Sequence, residues 1–170
     1  MTAAARPEAQ PEITVEIMVE AGDWPDVDSL LATAARTAWS AVGDGAPASV
    51  SVALTDDDGI RRLNRTFRDR DKATDVLSFP AGEPAVAEDE PLLGDIALAL
   101  DFIRKEAALE NKSFENHLTH LFVHGLLHLL GYDHVDAAEA VEMEQAETEI
   151  LALLGIGDPY AGREIDSDGK

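Results

Sequence analysis

The 170-residue chain contains no cysteine, which excludes disulfide bonds and metal sites built on thiolates. It also lacks an apolar run approaching about 18 residues, so no membrane-spanning helix is expected. The opening stretch, MTAAARPEAQPE, has no apolar segment of the secretory kind and reads as a loose tail. Nothing points to export, and the cytoplasm is the expected location. Neither an internal repeat nor an interdomain linker interrupts the pattern. Basic residues are scarce as well: 13 Lys and Arg stand against 34 Asp and Glu, a net charge of −21. A uniformly acidic surface suits solubility and repels nucleic acid.

What is present is enough for a core. Apolar residues make up 45% of the chain, which fits one domain able to fold alone. Its boundaries are expected at 12–155, with flexible tails at 1–11 and 156–170. The scarce basic charge is concentrated. Residues 61–72, RRLNRTFRDRDK, hold six basic residues against two aspartates, a local charge of +4 on an acidic body. A solvated helix face with ion pairs to neighbouring acids explains such a stretch as well as a binding patch does.

Residues 12–20 (EITVEIMVE) alternate apolar and polar, the signature of a strand with one buried face. Asp26 or Asp28 can cap a helix that runs to Gly43, and 48–55 (ASVSVALT) reads as a second strand. Asp56 to Asp58 offer caps for a short helix bearing Leu63 and Phe67 on one side and arginines on the others. A third strand over 74–80 ends at Pro80, a polar loop follows over 81–91, and 95–100 (DIALAL) is a fourth strand. The remainder is helical: 101–111, then a longer helix capped by Ser113 and stopped at Gly131, then one from Asp136 to Leu154. The Asp136 and Glu139 pair has capping-box spacing. Four strands mixed with five helices, without regular β-α alternation, predict an α+β fold. The strand order is not legible.

The segment His124-Gly-Leu-Leu-His128-Leu-Leu-Gly131-Tyr-Asp-His134 carries the chemistry. His124 and His128 are four apart on a helical pattern, so both imidazoles project from one face, one turn apart. A glycine at 131 tolerates the left-handed backbone that reverses a chain at a helix end, which can swing His134 back toward the other two. Three neutral nitrogens with one open position suit a catalytic zinc, which lowers the pKa of bound water to about 7. One Zn2+ per chain is expected, with other divalent metals open. The pattern H-x-x-x-H-x-x-G-x-x-H resembles the metzincin peptidase signature with one departure. Gly125 stands where those peptidases carry a glutamate base, and a glycine takes no proton from water.

A second motif accompanies the first: Leu63-Asn64, Phe67-Arg68, Asp71-Lys72 and Thr74-Asp75-Val76-Leu77-Ser78-Phe79-Pro80. Leu93-Gly94-Asp95-Ile96 and the helix with Met143, Glu144 and Glu147 complete it. Together these motifs, over about residues 50–154, resemble the YbeY family of bacterial endoribonucleases. The resemblance implies a fold similar to zinc-dependent, metzincin-like hydrolases. It implies single-strand-specific RNA cleavage in 16S rRNA 3′-end maturation and ribosome quality control. The small ribosomal subunit and its proteins are the implied partners, and no DNA substrate is expected. The family's metal ligands carry onto His124, His128 and His134, and its functional arginine onto Arg68.

Read from the residues alone, Arg68 can grip a phosphate or form a surface ion pair with Asp71 or Asp75. Arg61, Arg65 and Lys72 are candidates to extend a backbone-tracking groove. Asp133 either orients a ligand ring as an outer acceptor or steadies a turn. His120 shares the helical face of His124 and is a candidate outer partner, and His117 lies one heptad back from it. Asp95 either faces the cleft or caps a turn. Two rival functions stay open: a ribosome-assembly factor whose metal only stabilises the fold, and an atypical metallopeptidase, which Gly125 opposes.

Overall fold

The computed structural model describes residues 12–82 and 90–160. The alternation at the start of the chain forms β1 (Ile13–Val19), with Ile13, Val15 and Ile17 turned to the core. Helix α1 (Asp28–Val42) buries Leu31, Ala34, Ala35 and Ala38 and stops at Gly43. Its N-cap position is Val27, and the Asp26 carboxylate accepts from the Asp28 N–H at 3.0 Å. Strand β2 (Ala48–Thr55) follows, then α2 (Asp57–Arg68), capped by Asp56, whose carboxylate accepts from the Gly59 N–H at 2.8 Å. Strands β3 (Val76–Pro80) and β4 (Leu92–Ala99) flank the 81–91 loop, most of which lies outside the described residues. The chain ends in α3 (Leu100–Leu109), α4 (Phe114–Leu129) and α5 (Ala137–Leu153), the last two capped by Ser113 and Asp136 as their sequences predict. The fold is α+β.

The four strands form one sheet in the order β1-β2-β4-β3. β1 and β4 both run parallel to β2, whereas β3 pairs antiparallel with β4 and forms the sheet edge. Because side chains alternate across a strand, the sheet separates two cores. Val50, Val52, Leu54, Ile96 and Leu98 join the buried faces of α1, α4 and α5. Ala97 and Ala99 pack instead with Ile60 of α2, with Leu63, Leu77 and Phe102 around them. Helix α4 is buried along most of its length, Phe122, Val123, Leu126 and Leu127 being fully enclosed. The histidines on its remaining face therefore stand on a rigid element beside the edge strand. Among the described residues no helix is long and apolar enough to cross a membrane. The tail expected at 1–11 lies outside the described residues, as do residues 161–170 of the tail expected at 156–170, whose first five residues are described.

Candidate metal centre

Helix α4 ends in a turn that builds the site. Gly131 takes φ +102°, a conformation in which a side chain is strained. The Tyr132 N–H donates to the Leu127 carbonyl at 3.0 Å and the Gly131 N–H to the His128 carbonyl at 3.1 Å. This is the paired closure of a helix end through a left-handed residue. It has two consequences. The Tyr132 carbonyl turns back onto the His128 ring, and His134 is brought beside the two helical histidines. Ring nitrogens of His124, His128 and His134 all lie within 4.8 Å of one another. The His124 and His134 rings stack with centroids 5.7 Å apart, and His134 lies 5.1 Å from His128.

Hydrogen bonds behind the rings fix which nitrogens are available. His124 Nδ1 meets Glu147 Oε2, and His128 Nδ1 meets the Tyr132 carbonyl at 3.0 Å. Both partners only accept, so each Nδ1 carries the proton and each Nε2 a lone pair. The two Nε2 atoms face each other at 3.1 Å. Two lone pairs at that distance repel unless a cation lies between them. Nitrogens bound tetrahedrally at about 2.0–2.1 Å from zinc stand about 3.3 Å apart. The three histidines therefore fit a divalent metal by donor chemistry as well as by spacing.

Charge around the site agrees. Glu147 is fully buried. Burial alone would raise its pKa, but its neighbours His120, His124 and Tyr160 outweigh it and hold the carboxyl at about 2. It is an ionised acceptor at neutral pH, the partner that a metal-binding histidine ring commonly has on its far side. His128 is held below the ordinary imidazole range, first by burial and then by repulsion from His124 and His134. Neutral imidazole is the form that binds metal.

The histidines open into a cavity of about 640 Å³ whose other wall is Arg68, Asp75, Ser78 and Pro80. Arg68 is the last residue of α2. Its guanidinium donates to the Ser78 carbonyl and lies 5.2 Å from the centre of the Phe79 ring. No ion pair of Arg68 with Asp71 or Asp75 is present among the described residues. The other basic candidates are not brought to this cavity. Arg61 makes a two-point pair with Asp71, at 2.7 and 3.3 Å, and Arg65 approaches the same carboxylate at 3.7 Å. Lys72 is exposed, and its carbonyl accepts from the buried Asn64 side chain at 2.9 Å, which ties the loop after α2 to the helix. Asp133 lines the cavity, but one carboxylate oxygen accepts from the His134 N–H at 2.7 Å, the turn-steadying arrangement. Asp95, exposed on β4 opposite Phe79, lines a different groove with Met18 and Phe67.

His120 and His117 face an adjoining cavity of about 730 Å³ that shares Asp75 and His124 with the first. His120 Nε2 lies 3.7 Å from Glu147, so His120 reaches the centre through that carboxylate. His117 Nε2 lies 2.9 Å from Glu106 Oε1. Burial lowers the His117 pKa. Glu106 is raised to about 8, by burial and then by the charge and hydrogen bonding of Asp75. Burial thus disfavours the charged form of both partners in the close His117–Glu106 contact.

Sequence assigns no role to three contributors, although Glu147 belongs to one of its motifs. Glu147 sits among Met143, Ala146, Ile150 and Leu151 on the buried stripe of α5, and a carboxylate in an apolar stripe is the signal that marks it. Glu106 gives no such signal, being off the buried stripe of Leu100, Ile103 and Ala107. Tyr160 follows the last helix in a short polar segment, and nothing local distinguishes it.

Gly125 has a packing reason. A Cβ there would lie 2.9 Å from Ser78 Oγ and 3.4 Å from Ile96 and Val76. The Ser78 hydroxyl donates to the Gly125 carbonyl at 3.1 Å. Position 125 is where α4 rests on the edge strand, so the glycine sets the distance between the two walls.

Comparisons with known proteins point to one family. A family model described as endoribonuclease YbeY matches residues 19–155. A Rhodopseudomonas palustris protein named endoribonuclease YbeY is 51% identical over 96% of this chain and 86% of its own length. Similarly named proteins from Agrobacterium fabrum and a Chelativorans species are 48% and 52% identical. They cover 89% and 90% of this chain, and 97% and 96% of their own lengths. Among solved structures, the solution structure of TM1509 from Thermotoga maritima is 27% identical and superposes with a TM-score of 0.52. That match covers 83% of this chain and 91% of the other.

Proposed function

The chain belongs to the YbeY endoribonuclease family, and from that premise we propose that it cleaves single-stranded RNA at the three-histidine centre, with zinc as the metal. The observation that carries the reading is the pair of Nε2 lone pairs held 3.1 Å apart, with His134 beside them and Arg68 across the same cavity. When bound, a divalent ion supplies Lewis acidity for a phosphate oxygen and a lowered pKa for water. The chain's own groups do the rest. Glu147 and the Tyr132 carbonyl hold the His124 and His128 rings in the tautomer that leaves Nε2 free. Arg68, with one N–H on the Ser78 carbonyl and its guanidinium over the Phe79 ring, keeps its other donors for a phosphate and for charge gathering on it. The substrate class we assign is ribosomal RNA: the 16S 3′ end and the quality control of the small subunit, in the cytoplasm.

The net charge of −21 favours a second reading, a ribosome-assembly factor in which the metal only stabilises the fold, since such a surface binds free RNA weakly. The two separate in one experiment. End-labelled single-stranded RNA is incubated with zinc-loaded protein, and identically purified His128→Ala stands beside it. Cleavage by the wild type alone is expected. Equal cleavage by both proteins defeats a metal-centred mechanism, and cleavage by neither, on free RNA or on small subunits, favours the assembly factor. The peptidase reading is opposed by Gly125, whose place is filled by Ser78 and the sheet.

A further inference from the structure

The segment after α5 reaches back to the metal centre. Helix α5 closes as α4 does: the Ile156 N–H donates to the Leu151 carbonyl at 2.8 Å and Gly155 takes φ +81°. The reversed chain is then fastened by Asp158. That carboxylate accepts from the Tyr160 N–H at 2.8 Å and from the Thr148 hydroxyl, one residue after Glu147, at 3.4 Å. The result is that the Tyr160 hydroxyl donates to Glu147 Oε1, while the other oxygen of the same carboxylate holds His124 Nδ1. The Tyr160 ring also stands perpendicular to His120, centroids 5.7 Å apart, and His120 stands edge-on to His124 at 6.4 Å.

Glu147 is fully enclosed, and a buried carboxylate keeps its place only while its oxygens are satisfied. His124 occupies Oε2. At Oε1 the alternatives to Tyr160 are poor: His120 Nε2 is 3.7 Å away, beyond hydrogen-bond reach. Without the tyrosine hydroxyl, Oε1 has no donor at bonding distance among the described residues. A carboxylate so placed can rotate or shift, and the His124 ring moves with it.

We propose that Tyr160 is a positioning residue of the metal centre, acting through Glu147 on the tautomer and direction of His124. The chain segment that carries it belongs to the site, although it lies 26 residues beyond the last ligand in sequence. The inference rests on the reading of His124, His128 and His134 as ligands. Outer partners of this kind are worth about 10–100-fold in metal affinity.

The test measures zinc binding to the full chain by competition with a chromogenic chelator, and records the visible spectrum of the Co2+-loaded protein. Tyr160→Phe keeps the ring and removes only the hydroxyl. It is expected to weaken zinc about tenfold and to alter the cobalt spectrum, with the apo protein as folded as wild type. Glu147→Gln is expected to weaken zinc at least as much. In that background Tyr160→Phe should add less than twofold, because both act on one path. Wild-type affinity and an unchanged cobalt spectrum in Tyr160→Phe overturn the inference, and that variant decides alone should Glu147→Gln fail to fold. A lowered melting temperature with unchanged zinc affinity likewise overturns it, since that is the mark of a purely structural tyrosine. Wild-type protein that takes up no zinc overturns the ligand reading and this inference together.

Discussion

On one wall of the cavity the α4 histidines are backed by the buried Glu147 and the Tyr132 carbonyl; the other wall holds Arg68 alone of the arginines, while Arg61 and Arg65 stand in solvent away from it and share one aspartate. The first wall is organised from behind. Glu147 and the Tyr132 carbonyl dictate where each proton sits before any metal or substrate arrives. The second is organised at one point only, where Arg68 meets the Ser78 carbonyl and the Phe79 ring. Local density of charge therefore does not tell which basic side chain faces the histidines. Residues 61–72 hold nearly half of the basic residues of the chain, yet a single one of them lines the histidine cavity. What decides is whether a side chain has a rigid support that aims it.

The largest effect should come from breaking the supported wall. His128→Ala removes a nitrogen donor and leaves the Tyr132 carbonyl without its ring partner. RNA cleavage should fall below detection and the zinc content of the purified protein should drop. Next in size is the one supported residue of the other wall. Arg68→Ala should lower kcat by about 10²–10³-fold, the usual cost of removing a donor to developing charge, with zinc content unchanged. Arg68→Lys should recover only part of this, because an ammonium cannot hold Ser78 and a phosphate in one plane. A loss of zinc in Arg68→Ala would mean that the two walls are not independent.

The spacing between the walls gives a third prediction, read in stability rather than rate. Gly125→Ala places a methyl 2.9 Å from Ser78 Oγ and should cost about 1–3 kcal/mol in urea unfolding, the range for overpacking. Gly125→Glu should be worse and should gain no activity on unstructured protein, since a side chain there points at the edge strand. Cleavage of protein by Gly125→Glu would revive the peptidase relation that the histidine spacing suggests.

Much of the supported wall was legible because it is local. The i, i+4 histidines, the glycine stop and the third histidine lie within eleven residues, and helix periodicity and turn geometry convert that spacing into position. The caps of α2, α4 and α5 were readable for the same reason. The strand order was not, because whether β4 enters between β2 and β3 depends on contacts far apart in sequence. Glu147 meets His124 and Tyr160 across 23 and 13 residues, and no periodicity reports such a pairing. The basic stretch was the opposite case. Its charge was conspicuous, but the direction of each arginine depends on Asp71, Ser78 and Phe79, which the loop after α2 and the edge strand bring into place.

A smaller effect separates the two carboxylates behind the histidine wall, Glu147 fully buried and Glu106 partly so. Glu147 is held ionised by donors, whereas Glu106 is pushed up to about 8 by burial and by Asp75. In the folded state Glu106 keeps its proton to higher pH than in the unfolded chain, so the native state binds more protons between its ordinary value near 4.5 and about 8. Stability from this group is present at low pH and lost as pH rises through that window. Glu106→Gln should flatten the fall in melting temperature between pH 5 and pH 8 (about the window set by that linkage). An unchanged slope would place the titrating group elsewhere.

The smallest effect should come from Arg61→Ala. Its partner Asp71 is half exposed, as Arg61 is, and exposed pairs of this kind contribute little because water competes for both partners. Their hydrogen bond raises the pKa of Arg61 and lowers that of Asp71, but a guanidinium is charged at any working pH, so the pair offers no switch. Removing Arg61 should leave the urea midpoint unchanged and kcat/KM on single-stranded RNA within about threefold, and its Asp71 would still have Arg65 at 3.7 Å. A loss of tenfold or more in kcat/KM, with a weaker dependence on salt, would mean that Arg61 exchanges Asp71 for a phosphate when RNA arrives. The exposed wall would then be a track that the substrate itself organises, and support from behind would no longer be what sets the working side of the cavity apart.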